Sequence, residues 1–180
     1  FRLGRELIFF GNLEDEGCTL WNLNSTDENY CDTAAFSGER SIQHIRTESS
    51  TSNIVTNFEE RIICPSYNIK YSLCGYLKTQ NGADVTIEIR YHVDRTGIFT
   101  LGTENIGVQV NGDSPWTFYH HELTIPSGTK FFDIRLSSGI PNAGTAYSWF
   151  DNVSLICWDG WADYDVSQSI STPNDYYFIQ

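Results

Sequence analysis

The stretch Val85–Val93 constrains the fold more than any other. Val85, Ile87, Ile89, Tyr91 and Val93 take every second position, with Thr86, Glu88, Arg90 and His92 between them. Successive side chains of an extended chain point to opposite sides, so this alternation predicts a strand with one face in an apolar core and the other in water. The pattern recurs in Tyr71–Lys78, where Tyr71, Leu73 and Gly75 share one side and Tyr76 and Lys78 the other, and in Lys130–Leu136, where Phe132, Ile134 and Leu136 turn inward. Further strands are expected over Ser41–Arg46, Asn53–Ile63, Thr117–Ile125 and Tyr147–Cys157. Turn-forming clusters separate them, among them Asn81-Gly82, Asn111-Gly112-Asp113, Pro126-Ser127-Gly128 and Pro141-Asn142-Ala143-Gly144. No segment of useful length has helical spacing, and there is no internal repeat. The expectation is an all-β sandwich of two antiparallel sheets.

With 180 residues, 40% of them hydrophobic, the chain can bury the core of one domain. The sandwich is expected over residues 1–157, with Trp21 and Trp116 in its core. Residues 158–180 read as a C-terminal extension that packs back through Trp158 and Trp161 or links to a next domain. A formal charge of −12 would repel phosphate backbones and anionic membrane surfaces, which argues against nucleic acid as a partner and against membrane insertion. The same charge suits calcium and neutral glycans. No apolar run approaches the roughly 20 residues of a membrane span, and no basic-then-apolar signal opens the chain. Starting at Phe1 without Met, the sequence reads as a module of a longer secreted or cell-surface protein.

The five cysteines, Cys18, Cys31, Cys64, Cys74 and Cys157, are an odd number, so any disulfide set leaves a thiol over. A Cys18–Cys31 bridge would close a short polar loop in an oxidising compartment. The alternative is five buried thiols. Neither a CxxC nor a His-linked spacing is present, which argues against zinc.

Two segments pair strand-forming residues with a hard oxygen ligand: Gly11-Asn12-Leu13-Glu14 near the start and Phe150-Asp151-Asn152-Val153-Ser154-Leu155 near the end. Glu14 and Asp151 can serve calcium, which takes carboxylates and backbone carbonyls where strand ends meet. They can equally accept hydrogen bonds from turn amides. The order of motifs is itself informative. That start, then Trp21, Phe36-Ser37-Gly38-Glu39-Arg40-Ser41-Ile42, Tyr71-Ser72-Leu73-Cys74-Gly75-Tyr76-Leu77-Lys78, Trp116 before Thr124-Ile125-Pro126-Ser127-Gly128, and Trp149 through Leu155 resembles the carbohydrate-binding modules of families four, nine and twenty-two, over about Leu7 to Ile156. The resemblance implies a β-sandwich jelly roll, stabilised by structural calcium, that binds polysaccharide beside other domains of the same chain. It also implies that carbonyls of Asn12 and of the Gly38–Ser41 turn complete a calcium shell around Glu14 and Asp151, with Glu39 as an extra carboxylate. The loop Asn22–Thr33, the cysteines and the tail after Cys157 depart from the pattern.

Sugar recognition needs aromatic planes together with planar polar side chains. The wet face of Val85–Val93 offers Glu88, Arg90 and His92, and Tyr76 is expected to share that face, with Tyr147 or Trp149 as an aromatic wall. Glu88 and Arg90, two apart, can alternatively form a solvated charge ladder. Adjacent His120 and His121 point to opposite sides of a strand and cannot grip one ion with His92. Glu59-Glu60 and Asp94 lack the fixed spacing of a glycosidase carboxylate pair, and no nucleophile motif is present, so a noncatalytic module is expected. Asn24-Ser25-Thr26 and Asn152-Val153-Ser154 fit the glycosylation pattern. The other use of such a sandwich is as a structural or protein-docking domain of a surface protein.

Overall fold

A computed structural model describes residues 2–8, 11–14, 20–23, 27–31, 33–50, 54–82, 84–108, 112–161 and 177–179. Its strands are β1 (Arg2–Glu6), β2 (Trp21–Asn22), β3 (Glu28–Cys31), β4 (Ser41–Thr47), β5 (Ile54–Phe58), β6 (Ile62–Ile63), β7 (Tyr71–Gly82), β8 (Val85–His92), β9 (Gly102–Val108), β10 (Gly112–Leu123), β11 (Phe131–Ser138), β12 (Thr145–Trp161) and β13 (Tyr177–Ile179). They form an all-β sandwich of two antiparallel sheets, with no helix among the described residues.

Sheet A runs β10-β7-β12-β1-β13, with β4 on β12 and β3 on β4; sheet B runs β2-β5-β11-β8-β9, with β6 on β11. The 17-residue β12 serves two partners along one edge. Its first half, through Phe150, pairs with β4, and its second half, from Ile156, pairs with β1. Between them the register breaks at Asp151/Ser154, where Asn152 takes φ 47°. Gly11 reaches this bulge and accepts a hydrogen bond from the Val153 N–H at 2.9 Å, so closely that a Cβ on Gly11 would collide with the Val153 carbonyl.

The expected inward residues make the core. Leu73, Leu77, Phe150, Val153 and Leu155 of sheet A meet Ile87, Ile89, Tyr91, Phe132, Ile134 and Leu136 of sheet B in one buried cluster. Each such side chain contributes about 1.5–3 kcal/mol on leaving water. A polar tie crosses the same interior: His44 of β4 is fully buried, with Nδ1 2.9 Å from Ser138 Oγ and Nε2 2.8 Å from Thr56 Oγ1. Burial, with the nearby charge of Arg46, lowers its pKa to about 3 and holds it neutral.

Several expectations need correction. Val93 is 42% exposed, because β8 ends at His92 and the chain turns away at Asp94–Gly97. The expected Asn53–Ile63 strand divides around Glu59–Arg61 into β5 and β6. Trp21 is core, but Trp116 is only half-buried on the outer side of sheet A, edge-on to Phe36. Cys31, Cys64, Cys74 and Cys157 carry free, buried thiols; Cys18 lies outside the described residues, as does Asn24-Ser25-Thr26. Beyond Cys157, β12 continues through Trp161 against β1, the Trp158 indole N–H donates to Ser72 Oγ at 2.8 Å, and β13 pairs with the other edge of β1.

Candidate functional site

The six residues expected to bind one ligand do not share a surface. β7 and β8 lie in different sheets, so Tyr76 and Tyr147 lie on the outer side of sheet A and Glu88 and Arg90 on the outer side of sheet B, across the sandwich; Trp149, on the same side as Tyr147, is only 6% exposed and is not the open aromatic wall expected.

On sheet B, β8 and β11 bring Arg90 opposite Asp133 and Glu88 opposite Arg135, and β5 brings Asn57 opposite Arg135. The Arg90 Nε donates to Glu88 Oε1, and the Arg135 Nε to Asp133 Oδ2 at 3.1 Å. Glu88 and Arg90 therefore form the charge pair anticipated as the alternative, one of two set side by side. His92 is not on the wet surface: it is 2% exposed, Nδ1–H donates to the Phe99 carbonyl at 3.1 Å, and Nε2 lies 3.9 Å from Asp133 Oδ2. Burial lowers its pKa, so it supports the face as a neutral ring.

Where β5 ends, this row opens into a cleft of about 460 Å³ lined by Asn22, Asn57, Glu59, Glu60, Arg61, Arg95 and Asp133 among others. The Arg61 guanidinium donates to the carbonyls of Asp94 (2.8 Å) and Gly97 (2.6 Å), which fixes the turn that carries Arg95. Asn57 Oδ1 is buried with no hydrogen-bond partner in the protein. The sequence carries a signal for this site in the same alternation. Asp133 and Arg135 fill the outward positions between Phe132, Ile134 and Leu136, as Asn57 does between Thr56 and Phe58, by the same alternation that singled out Glu88 and Arg90.

On sheet A, Glu14 and Asp151 converge on one loop, residues 36–40. Asp151 Oδ2 accepts from the N–H groups of Phe36 (2.8 Å) and Ser37 (3.2 Å), and Oδ1 from that of Asn152 (2.7 Å). Glu14 accepts from the N–H groups of Glu39 (2.9 Å) and Arg40 (3.2 Å). Gly38, at φ +65°, lies where a Cβ would collide with the Glu14 carboxylate. Burial, and secondarily the charge of Glu14, raises the Asp151 pKa to about 6. Of the other expected calcium residues, Asn12 and Glu39 are exposed and the buried Ser41 hydroxyl donates to the Ala34 carbonyl. Among the described residues no three His, Cys, Asp or Glu side chains form a metal cage. Each carboxylate keeps lone pairs beyond its amide bonds, and the charge of Glu14 is near enough to be felt at Asp151, which is the extent of the fit to a cation.

The loop sets Phe36 on Tyr76, rings parallel within 13° and centroids 3.5 Å apart. Phe118 lies 5.1 Å from Tyr76 on its other flank. Further along the face, Tyr147 stacks on Trp149 at 5.9 Å, and Lys78 Nζ sits 4.9 Å above the Trp149 ring.

No protein-family model matches the chain, and no curated protein sequence does. Solved structures do. The Family 16 Carbohydrate Binding Module-2 matches with TM-score 0.61 at 15% identity, over 83% of this chain and 98% of that one. The fold is that of a carbohydrate-binding module. The CBM22-1 xylan-binding domain of Xyn10C from Paenibacillus barcinonensis shares this carbohydrate-binding-module fold with TM-score 0.57 and 14% identity, over 89% of this chain and 99% of that one. Part of the enzymatically active domain of bacteriophage CBA120 tailspike protein 4 also matches, with TM-score 0.62 and 16% identity over 84% of this chain and 21% of that larger one.

Proposed function

We propose that the chain is a noncatalytic carbohydrate-binding module that takes a neutral polysaccharide along the outer face of sheet B, anchored in the cleft beside Asn57. One observation carries this reading. Asn57 lines the cleft, and its carboxamide oxygen is buried without a donor in the protein, a cost that a sugar hydroxyl removes once a small rotation of the carboxamide turns the oxygen toward the cleft. Asn22, Glu59, Arg61, Arg95 and Asp133 surround it with planar donors and acceptors, and the paired Glu88–Arg90 and Asp133–Arg135 rows extend it along the sheet. Sugar is held here chiefly by hydrogen bonds. The charge of −12 favours a neutral chain, and likeness to a domain described as xylan-binding supports polysaccharide as the ligand class. The module would tether other domains of a secreted or cell-surface protein to that polysaccharide.

Calcium belongs to the same proposal as a staple. Glu14 and Asp151 would hold it, with carbonyls of Asn12 and the Gly38–Ser41 turn and with Glu39 at the rim. It would supply charge neutralisation at the loop that carries Phe36, not chemistry on the sugar. Calorimetric titration with soluble β-glucans, xylans, mannans and pectins, in calcium and again in EDTA, tests both parts. Binding of one class supports the module, and silence across the panel from folded protein refutes it. A midpoint of thermal unfolding that is the same in calcium and EDTA refutes the staple, since a ligand of the folded state must raise it.

A second reading rests on the loop after β8, where Ile98 and Phe99 are 86% and 82% exposed beside Val93 and Leu101. Such a patch suits protein docking. Silence across the glycan panel, together with a shift in self-association or partner binding on Ile98→Ser/Phe99→Ser, would favour it.

A further inference from the structure

The outer face of sheet A carries an aromatic surface that the cleft does not use. The register sets Phe118 beside Tyr76 and Lys78 beside Trp149, with Gln80 beside Tyr147 and Gln43 on the far side of Trp149. Phe36 covers one face of Tyr76 and remains 43% exposed, Phe118 is 51% exposed, and Trp116 closes the corner 6.3 Å from Phe36. This is not a loose apolar loop. The N–H groups of Phe36, Ser37, Glu39 and Arg40 are all held by the Asp151 and Glu14 carboxylates, and the Asn152 carboxamide donates to Ser37 Oγ at 2.8 Å. Five hydrogen bonds thus hold the Phe36 ring before any ligand arrives, so little ordering cost falls on binding.

The composition of the face selects its ligand. Among the described residues its exposed large apolar groups are the rings of Phe36 and Phe118, with one half-buried aliphatic side chain, Ile45, beside Tyr147, and hydrogen-bonding groups of Lys78, Gln80, Gln43 and His120 are interleaved with them on the same outward positions. A protein partner of the ordinary kind would fill pockets with aliphatic side chains. A pyranose whose hydroxyls are equatorial presents instead a flat face of C–H groups to the rings and a rim of hydroxyls to the polar groups. We propose that the outer face of sheet A is a second glycan-binding surface, on which Phe36 and Phe118 stack against neutral, equatorially substituted pyranose units. Because it lies across the sandwich from the Asn57 cleft, one module can engage two chains of a polysaccharide, and its retention on an insoluble matrix exceeds that of either surface alone.

The inference goes beyond the cleft and stands or falls separately from it. Indole N–H resonances of uniformly ¹⁵N-labelled protein, titrated with xylohexaose, cellohexaose and mannohexaose in turn, report it without any variant. Ligand at this surface shifts Trp116 and Trp149, whereas ligand at the cleft shifts Trp21, the neighbour of Asn22. In parallel, Phe36→Ser/Phe118→Ser is compared with Asn57→Ala. Both exposed positions tolerate serine without loss of core. The double variant is expected to lose the Trp116 and Trp149 shifts, to weaken binding at this surface at least tenfold and to halve the calorimetric stoichiometry, while Asn57→Ala leaves those shifts in place. Shifts confined to Trp21, with an unchanged isotherm for the double variant, overturn the second surface and leave the cleft standing. Shifts confined to Trp116 and Trp149 sustain the surface and overturn the cleft. No shift with any hexaose overturns both.

Discussion

Acid should weaken this fold through His44 in a way that can be isolated. The ring is fully buried, hydrogen-bonded at both nitrogens to hydroxyls of the opposite sheet and packed 4.9 Å from Phe150. Its pKa is about 3 in the fold, below the ordinary 6.5, because burial penalises the imidazolium. A lowered base takes up its proton first in the unfolded chain. Its contribution is therefore complete above the unfolded pKa and is lost as pH falls from about 6.5 toward 3. Between about pH 7 and pH 4 the loss integrates to roughly 3 kcal/mol. Other groups titrate in this window, notably Asp151, whose raised pKa acts in the opposite sense, so the wild-type profile alone does not isolate the term. The difference between wild type and His44→Gln does. At pH 7 the variant, with its hydroxyl contacts disturbed, should be about 1–3 kcal/mol less stable. By pH 4 that gap should have closed by roughly 3 kcal/mol, because only the wild type carries the His44 proton penalty. Urea unfolding followed by tryptophan fluorescence at a series of pH values measures both. A gap that stays constant across the series refutes the assignment of a neutral, buried His44.

Three further outcomes follow from single sites. Gly38→Ala forces a side chain into the left-handed region and against the Glu14 carboxylate, and should cost about 1–3 kcal/mol in a thermal melt; an unchanged midpoint would show that the loop is not held as described. Asn57→Ala removes an oxygen with no internal partner, so calorimetry should show glycan affinity at the cleft down about tenfold, or about 1.4 kcal/mol, with stability nearly unchanged. Phe132→Ala empties a site packed edge-on to Tyr71 at 5.2 Å and Tyr91 at 6.1 Å; urea unfolding should show a loss of about 3–5 kcal/mol.

The alternation in β8 and β11 was legible because one face of each is buried by the other sheet and the other face is wet. The edge strands were not. β9, Gly-Thr-Glu-Asn-Ile-Gly-Val, turns Ile106 into the core but, with Thr103, Glu104 and Asn105 before it, reads as a polar loop. β1, with two arginines and a glutamate in five residues, reads as surface, yet it is held between β12 and β13. The costliest misreading lay in the link between β7 and β8. Asn81-Gly82 is a strong hairpin signal, and a hairpin would have kept Tyr76 and Glu88 in one sheet. The chain instead passes from sheet A to sheet B there, with φ 51° at Asn81 and 48° at Asp84. Asn81 is committed elsewhere: its N–H donates to Asp113, and its carboxamide donates to the carbonyls of Ala143 and Thr145. Those partners are far away in sequence, so nothing local distinguishes a crossover from a hairpin.

Alternation separates inside from outside but leaves open which of two outsides a residue faces. That ambiguity merged a polar surface and an aromatic one into a single expected site. Their separation has a physical logic. Glu88, Arg90, Asp133 and Arg135 each neutralise a neighbour two positions away on the same strand, which leaves a flat, hydrogen-bonding face of little net charge on sheet B. Phe36 cannot stand over Tyr76 without backbone support, and that support comes from Asp151 in the β12 bulge and Glu14 in the segment before β2. Both carboxylates belong to the two sequence motifs expected to hold calcium. Whether a cation or amide groups alone balance them, their effect is the same in kind: sequence ends 137 residues apart, from Glu14 to Asp151, meet at the loop that positions an exposed ring. The staple and the aromatic surface are therefore one device, and loosening the first should be felt as weaker stacking on the second before it is felt in the core.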